Sequence, residues 1–286
     1  MAKYLPLANL SAFNSRMADI ETLLGLPSEA GKTARYSVPW KNGSNAYLLE
    51  MDDSDYAAIS SILTADEIAS VITSTTGYIL QAVSPTEILR TVKYLIVCDG
   101  DSLTYGGTAS NPYYKYPAQL GRLLGANLTE WCILNFGVAG QRLDQMEADA
   151  ASQIDSLIAA APASAVKILI GWGGQNDLGQ TSLATAKARA ATYFTNRVAA
   201  GWDYVVSCTT TASGIDPATM ESFNQLIRDN HATWGTVLAD LHSIPEFSDS
   251  AAIATSPYYA DGTHMNDVGY GLIAAFQKEI IAPLLL

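Results

Sequence analysis

The sequence predicts an α/β protein with a five-stranded parallel β-sheet covered on both faces by helices, preceded by a small α+β module. Three observations lead to this prediction. From residue 93 onward, five short apolar runs alternate with segments of helical spacing, as in β/α repeats. The runs are apolar at nearly every position, which is typical of parallel strands buried on both faces. Residues before 88 lack this alternation of apolar runs and helical segments, so we predict two domains, residues 1–88 and 89–286.

The elements of the larger domain follow in order. The predicted strands are Tyr94–Cys98, Trp131–Phe136, Val166–Ile170, Tyr204–Cys208 and Thr236–Leu241, and the predicted helices cover 114–125, 141–160, 182–200, 217–231 and 267–282. Polar residues and glycines directly follow the first three strands, at 100–104, 137–142 and 171–177. The carboxyl ends of parallel strands share one edge of a sheet, where reactive groups collect. We therefore expect the chemistry at these three loops.

Residues 1–88 are predicted to form a separate small module. Apolar residues recur at helical spacing over 10–24, which predicts a helix. Arg35–Trp40 and Asn45–Met51 are predicted as two strands of a hairpin, and a capping-box pattern opens a helix over 64–73. No catalytic motif occurs in this module. We expect it to serve packing or oligomerisation, with a targeting or substrate-gripping role as the alternative.

Charge and composition argue against two classes of partner. The chain has 16 basic and 28 acidic side chains, a formal net charge of −12. Nucleic acids and anionic membranes are bound through positive patches, so neither is an expected partner. No apolar run approaches the roughly 20 residues that span a bilayer, and we recognise no signal peptide. We expect a soluble chain, and the sequence leaves its compartment open.

The three cysteines are predicted to be buried thiols on strands. Cys98, Cys132 and Cys208 are an odd number, lie far apart, and stand in or at the end of apolar runs. A disulfide framework or a zinc site requires a different pattern. We therefore predict no metal site.

Gly100–Thr104 contains the candidate nucleophile, Ser102. The segment directly follows a predicted buried strand, so the hydroxyl is expected at a strand end with its backbone N–H near a helix start. Four common residues in a row are a weak pattern by themselves, and a turn with a helix cap is the plain structural alternative.

Asp261–His264 supplies a base for such a serine. A serine hydroxyl needs a group that takes its proton, and an imidazole oriented by a carboxylate is suited to that task. Asp261 stands three residues before His264 in a predicted tight loop, so one short segment supplies both groups. The other two histidines, His231 and His242, lack this arrangement and are predicted to be a helix-surface residue and a loop residue.

Two glycine-rich segments, Gly137–Arg142 and Gly171–Asp177, offer hydrogen-bond donors. Attack on an ester places negative charge on the carbonyl oxygen, which backbone N–H groups at glycines and an asparagine amide can stabilise. Each segment alone also fits a tight turn between strand and helix. Neither has the pattern of a phosphate-binding loop.

Taken together, four ordered segments give a resemblance to a known family. The stretch from about 93 to 280, roughly two thirds of the chain, resembles the SGNH (GDSL) hydrolase superfamily. The matching blocks are Gly-Asp-Ser-Leu at 100–103, Gly-Val-Ala-Gly at 137–140, Gly-Gln-Asn-Asp at 174–177 and Asp-Gly-Thr-His at 261–264. The resemblance does not reach residues 1–88.

The resemblance implies a flavodoxin-like three-layer α/β/α fold and a serine esterase mechanism without a metal or organic cofactor. Ser102 becomes the nucleophile, His264 the base and Asp261 its orienting carboxylate. The oxyanion hole is implied to consist of the backbone N–H groups of Ser102 and Gly140 and the side chain of Asn176. Gly140 is preferred over Gly137 because the family's glycine follows a pair of small residues. Two further carboxylates in these blocks, Asp101 and Asp177, are expected to hold the loops in place, while Asp99 is an additional carboxylate without an assigned role.

The expected substrate is a small or carbohydrate ester with a short acyl group. Tyrosines of the loop at 105–116 border the nucleophile, and aromatic walls suit a sugar, although they could equally pack against the following helix. We assign Tyr105, Tyr113 and Trp172 to substrate binding. The sequence leaves three alternatives open: a thioesterase or lysophospholipase, a non-catalytic binding module, and a phage or surface structural protein with an accessory esterase. A homo-oligomer formed through residues 1–88 also remains open.

Overall fold

A computed structural model describes residues 36–42, 45–51, 92–110, 114–126, 130–211, 214–248 and 256–285. Strands β1 (Tyr36–Asn42) and β2 (Asn45–Met51) pair antiparallel, with Asn42 opposite Asn45. The predicted hairpin is therefore confirmed, with β1 shifted by one or two residues. The helices predicted over 10–24 and 64–73 lie outside the described residues, and the domain boundary near residue 88 stays a prediction.

The central sheet consists of five parallel strands. They are β3 (Tyr94–Gly100), β4 (Trp131–Gly137), β5 (Val166–Trp172), β6 (Tyr204–Cys208) and β7 (Val237–Ala239). Their spatial order is β4-β3-β5-β6-β7, which is the 2-1-3-4-5 order of a flavodoxin-like sheet. In this topology the chain reverses its direction of winding between β3 and β5. The crevice outside the carboxyl ends of these two strands is where ligands bind in such folds.

Eight α-helices connect and cover the strands of the described part of the chain. They are α1 (Ser102–Tyr105), α2 (Tyr116–Leu123), α3 (Leu143–Gln153), α4 (Ser156–Ala160), α5 (Gln175–Gln180), α6 (Leu183–Ala200), α7 (Pro217–Trp234) and α8 (Asp267–Ile281). Helix α2 packs against α8, whereas α6 packs against α3 and α7. The sheet thus lies between two helical layers, the predicted three-layer α/β/α arrangement.

The core follows from the apolar strands. Residues 95–98 of β3 and 168–170 of β5 are fully buried, as expected for strands covered on both faces. The three cysteines are free thiols buried on β3, β4 and β6, which confirms their predicted placement. Burial of this apolar surface supplies the main driving force for folding.

The predicted strands and helices of this domain are found, most with ends shifted by one to three residues, and there are three larger differences. The helix predicted over 141–160 is two helices, because the chain leaves helical hydrogen bonding near Ile154 and Asp155. Strand β7 is shorter than predicted, since a 3-10 helix follows at Leu241–Ser243. Helices α1 and α5 were not predicted, because four and six residues are too short to show helical periodicity.

The last helical stretch is more apolar than was expected from the sequence, since no run long enough to span a bilayer was predicted. Asp267–Leu285 is long and apolar enough to pass a length-and-composition test for a membrane span, with a mean hydropathy of 1.3. Core helices of globular proteins pass the same test. Here Tyr270, Ile273 and Ala274 are fully buried in the core, and the helix packs against α2.

Candidate active site

Ser102 is the first residue of α1, directly after the carboxyl end of β3. Asp101 caps this helix, since its Oδ1 accepts a hydrogen bond of 2.9 Å from the N–H of Leu103. The N–H of a first helical residue has no partner inside its own helix, so the N–H of Ser102 is available to a ligand. The serine side chain is partly exposed, whereas Leu103 and Tyr105 are buried. The short helix is therefore fixed by its buried residues while its first residue faces outward.

Two glycines allow α1 to lie close against the sheet. A Cβ on Gly100 would be 2.1 Å from the carbonyl oxygen of Trp172, and a Cβ on Gly137 would be 2.2 Å from the backbone nitrogen of Tyr105. The Cβ on Gly100 would also be 2.4 Å from the hydroxyl oxygen of Thr104, so side chains at these positions would push α1 away from β3 and β4. Both glycines therefore position Ser102 through packing.

His264 lies in a loop that folds back on itself before α8. Tyr259 and Met265 form an antiparallel bridge, and the N–H of Ala260 donates to the carbonyl oxygen of His264 over 2.8 Å. Between them, Gly262 takes a left-handed φ of +79°, which favours glycine at the tip. The fold of this loop turns the imidazole toward α1.

The imidazole of His264 joins Asp261 to Ser102. Its Nδ1 is 2.7 Å from Oδ2 of Asp261, and its Nε2 is 2.8 Å from Oγ of Ser102. The same carboxylate accepts backbone hydrogen bonds from Thr263 (3.0 Å) and His264 (2.7 Å). The three side chains that the sequence singled out are thus within hydrogen-bonding distance in the order carboxylate, imidazole, hydroxyl.

The pKa of Asp261 is lowered from its ordinary value. Burial works to raise this pKa, but the hydrogen bonds from the backbone and side chain of His264 and from the backbone of Thr263 outweigh it. The carboxyl group therefore stays ionised below its usual range. An ionised carboxylate on Nδ1 holds the proton of the imidazole there and leaves Nε2 free to accept one.

The loop after β4 places Gly140 at the surface in a left-handed conformation. The N–H of Gln141 donates to the carbonyl oxygen of Val138, and Gly140 has a φ of +78° within this turn. The competing candidate, Gly137, is buried and its N–H donates to Oδ1 of Asn135 over 2.9 Å. Of the two glycines, only Gly140 therefore lies at the surface, while the N–H of Gly137 is already used.

Asn176 lies beside the same turn. Its Nδ2 donates a hydrogen bond of 2.9 Å to the carbonyl oxygen of Gln141, which leaves the second N–H of the amide for another acceptor. The next residue, Asp177, is fully buried and accepts from the N–H of Leu143 and from Nη1 of Arg189, both over 2.8 Å. The expected loop-holding role of Asp177 is confirmed: it joins α5 to α3 and α6.

Two buried carboxyl groups lie behind the nucleophile. Desolvation raises the pKa of Asp99 and of Asp101 to about 7 in each case. The hydroxyl of Tyr193 donates to Oδ2 of Asp99, so this additional carboxyl group belongs to the interface between β3 and α6. The sequence pattern did not indicate this partner, because Tyr193 lies 94 residues away in the chain.

Two residues assigned to substrate binding are buried instead. Trp172 has no exposed surface and its ring contacts that of Tyr116 edge-on, with 5.6 Å between centroids. Tyr105 is 2% exposed and lies under the ammonium group of Lys115. The prediction was wrong for both, because β5 is covered on both faces and α1 packs against the sheet with every residue after Ser102 buried. The third, Tyr113, lies outside the described residues.

The arrangement is suited to nucleophilic attack on a carbonyl group. A hydroxyl next to an imidazole can be deprotonated as it attacks, and the N–H groups at 102, 140 and 176 follow the carboxyl ends of three neighbouring strands, β3, β4 and β5. Within the described ranges, no three His, Cys, Asp or Glu side chains lie together as metal ligands.

Comparison with known proteins adds a family and a fold. The model of the GDSL-like lipase/acylhydrolase family matches residues 98–272. The sequence matches no curated protein.

Three solved structures are similar to this one. An acetylxylan esterase from Geobacillus stearothermophilus is 16% identical, with a TM-score of 0.52 over 68% of this chain and 96% of that one. A lipolytic G-D-S-L protein from Veillonella parvula is 17% identical, with a TM-score of 0.52 over 66% and 98%. A lipase/acylhydrolase from Enterococcus faecalis is 19% identical, with a TM-score of 0.50 over 66% and 95%. These likenesses show a shared fold.

Proposed function

The chain belongs to the GDSL-like lipase/acylhydrolase family and is a carboxylic ester hydrolase, and we propose that it acts through Ser102, His264 and Asp261. The observation that carries this proposal is the continuous set of hydrogen-bond distances, 2.7 Å from Asp261 to His264 and 2.8 Å from His264 to Ser102. These two contacts are sufficient for the imidazole of His264 to take the hydroxyl proton of Ser102.

In the first half-reaction, Oγ of Ser102 attacks the ester carbonyl while Nε2 of His264 takes the hydroxyl proton. The carboxylate of Asp261 stabilises the imidazolium that forms. The carbonyl oxygen becomes an oxyanion, and the C–O bond to the alcohol then breaks as His264 returns the proton to the leaving oxygen. The products are the free alcohol and an acyl ester of Ser102.

The oxyanion is proposed to bind the backbone N–H groups of Ser102 and Gly140 and the side-chain amide of Asn176. Three features support this choice: the first helical N–H is unused by its helix, Gly140 is exposed, and Asn176 is held beside its turn by Gln141. Loss of one such donor typically lowers kcat by about 10²- to 10³-fold.

In the second half-reaction, water replaces the alcohol. Nε2 of His264 removes a proton from the water as it attacks the acyl carbon, and the same oxyanion donors stabilise the intermediate. The bond to Oγ of Ser102 then breaks, His264 gives the proton back to the serine, and the carboxylic acid leaves. Every proton is accounted for by one imidazole.

We propose short acyl esters, such as carbohydrate O-acetyl groups, as the substrate class. An acetylxylan esterase shares the fold over 96% of its length. Three outward residues of the described loops around Ser102 are small or polar: Gly107, Gly140 and Asn176. Each buried CH₂ of a longer acyl chain would require apolar surface to gain about 0.8 kcal/mol. Acetate is therefore expected to be preferred.

A lipid acyl hydrolase is the second candidate. The fold is also that of a lipase/acylhydrolase from Enterococcus faecalis, and the family description includes lipases. Its mechanism would be the same, so acyl-chain preference separates the two candidates.

The test is hydrolysis of p-nitrophenyl acetate, butyrate and octanoate by the wild type and by Ser102→Ala. We expect the wild type to cleave acetate best and Ser102→Ala to lose nearly all activity, while Ser243→Ala, an exposed serine of the 3-10 helix, stays at the wild-type level. Retention of activity by Ser102→Ala would contradict the assigned nucleophile. A preference for octanoate would favour the lipid hydrolase.

A further inference from the structure

We propose that Asp267 is a positioning residue, which together with Thr108 and Ser110 fastens the loop behind Ser102 to the loop that carries His264. We call Asp267, Thr108 and Ser110 the brace. This inference rests on the proposed function, because it concerns how the serine and the histidine are held at reacting distance. None of the three residues belongs to the four sequence blocks that carry the family resemblance.

The first half of the brace is the carboxylate of Asp267, the first residue of α8. Its Oδ1 accepts a hydrogen bond of 2.8 Å from the N–H of Ser110, and its Oδ2 accepts one of 2.6 Å from the hydroxyl of the same residue. Two parallel bonds to one residue fix orientation as well as distance. The contact joins positions 157 residues apart in the chain.

The second half of the brace joins the same two loops closer to the imidazole. The hydroxyl of Thr108 donates a hydrogen bond of 2.7 Å to the carbonyl oxygen of Met265, the residue after His264. Met265 is fully buried, so this carbonyl group is fixed in the core. The brace therefore holds the histidine loop at its junction with α8.

Both ends of the brace are close in sequence to the reacting groups. Thr108 and Ser110 follow Ser102 by six and eight residues, a connection made by α1 and by a turn in which the N–H of the buried Ala109 donates to the carbonyl oxygen of Gly106. Asp267 follows His264 by three residues and begins a helix that is buried along one face. A change in the contact between the loops would therefore change the distance between Oγ and Nε2.

That distance is sensitive to small movements. Reacting groups must be held close to their productive geometry, and a displacement of about 1 Å can lower the rate about 100-fold. On its other side the histidine is held by the exposed Asp261 loop, whose tip is a left-handed glycine. The brace supplies a direct fastening between the two loops.

The experiment compares Asp267→Asn, Ser110→Ala and the double variant. We expect each single variant to lower kcat on p-nitrophenyl acetate roughly 10- to 100-fold with KM nearly unchanged. The double variant is expected to be no slower than the slower single variant, because the two residues act as one contact. If the double variant instead lost kcat by the product of the two single losses, Asp267 and Ser110 would act independently, which would overturn the proposal.

Asp216→Asn is the matched control. Its carboxylate also stands at the start of a helix and accepts from the N–H (2.9 Å) and the hydroxyl (2.8 Å) of one residue, Thr219, but these bonds stay within α7 and its cap. We expect a similar loss of thermal stability in Asp216→Asn and Asp267→Asn, and a loss of kcat only in the latter. Equal kcat values for both variants would overturn the proposal.

A second measurement does not require ester turnover. In protein with ¹⁵N-labelled histidine, the Nε2 chemical shift of His264 reports the hydrogen bond from Ser102, and Ser102→Ala gives the shift without that bond. We expect Asp267→Asn and Ser110→Ala to move the shift toward that of Ser102→Ala. A wild-type shift in both folded variants would overturn the brace. If the wild type cleaves no ester, the proposed function fails, and the shift still decides the brace.

Discussion

Asp261 holds the imidazole of His264 in one orientation, and a change of one side-chain atom tests that role. In Asp261→Asn, an amide NH₂ facing Nδ1 would leave the ring proton on Nε2, which then cannot take the proton of Ser102. We expect kcat on p-nitrophenyl acetate to fall about 10²- to 10⁴-fold with the fold intact. The measurement is steady-state hydrolysis with Asp229→Asn, an exposed carboxylate on α7, as control. A loss no greater than that of the control would remove Asp261 from the mechanism.

The buried carboxyl group of Asp99 predicts how stability depends on pH. Desolvation raises its folded-state pKa from 3.8 to about 7, so between these values the folded protein holds a proton that the unfolded chain has released. The free energy of unfolding is therefore expected to decrease as pH rises from about 4 to about 7. At about 1.4 kcal/mol per pKa unit, the decrease amounts to a few kcal/mol. Asp261, whose pKa is lowered, acts in the opposite direction, and its stabilisation is lost as pH falls.

Asp101, whose pKa is also raised to about 7, adds to this decrease, and Asp99→Asn removes only the contribution of Asp99. An amide oxygen at this position can still accept the hydrogen bond from Tyr193. We expect the variant to be more stable than the wild type at pH 8 and to show a flatter dependence between pH 4 and pH 7. Urea unfolding at pH 5 and pH 8 measures both. An unchanged slope in the variant would mean that Asp99 is ionised in the folded protein.

At the scale of elements, the contact between β4 and α1 depends on Gly137. The Cβ of Gly137→Ala would be 2.2 Å from the backbone nitrogen of Tyr105, so helix α1 must move. We expect a loss of about 1–3 kcal/mol in the free energy of unfolding and a lower kcat, because Ser102 moves with the helix. Chemical unfolding and hydrolysis of p-nitrophenyl acetate are the measurements.

Gly125→Ala is the control for Gly137→Ala, because it introduces backbone strain without a steric collision. Gly125 has a φ of +66°, and no atom lies within 4 Å of the point that a Cβ would occupy, so alanine there costs strain without collision. We expect this variant to lose stability but to keep its kcat. Equal kcat values for the Gly125 and Gly137 variants would show that the contact does not position Ser102.

The sequence predicted the sheet well because its strands are apolar throughout and separated by long helices. Four of the five strands begin at the predicted residue, and the three predicted loops follow the carboxyl ends of the neighbouring strands β4, β3 and β5. It could not predict that Tyr105 and Trp172 point inward, since an aromatic residue beside a glycine loop fits a core and a binding wall equally well. Nor could it predict pairs such as Tyr193 with Asp99, which depend on tertiary contact across about a hundred residues.

At the scale of the whole molecule, the described fold of the α/β domain starts immediately before β3. Val92 is buried, and the N–H groups of Lys93 and Tyr94 both donate to the carbonyl oxygen of Glu130. We expect a chain of residues 89–286 to unfold cooperatively and to hydrolyse p-nitrophenyl acetate within about threefold of the full chain. A comparison of the two chains by thermal unfolding and kinetics tests the predicted boundary. A much lower kcat would show that residues 1–88 contribute to the site.

The three free cysteines give the molecule an internal reporter of sheet opening. Cys98, Cys132 and Cys208 stand on three different strands, and desolvation raises the pKa of the Cys208 thiol to about 12. A maleimide reacts with thiolates, so it should label these positions only when the strands separate. A phosphonate that reacts with Ser102 measures, in the same sample, the fraction of molecules whose active site is intact. The two labelling rates, followed together during heating, would tell whether inactivation begins in the loops or in the sheet.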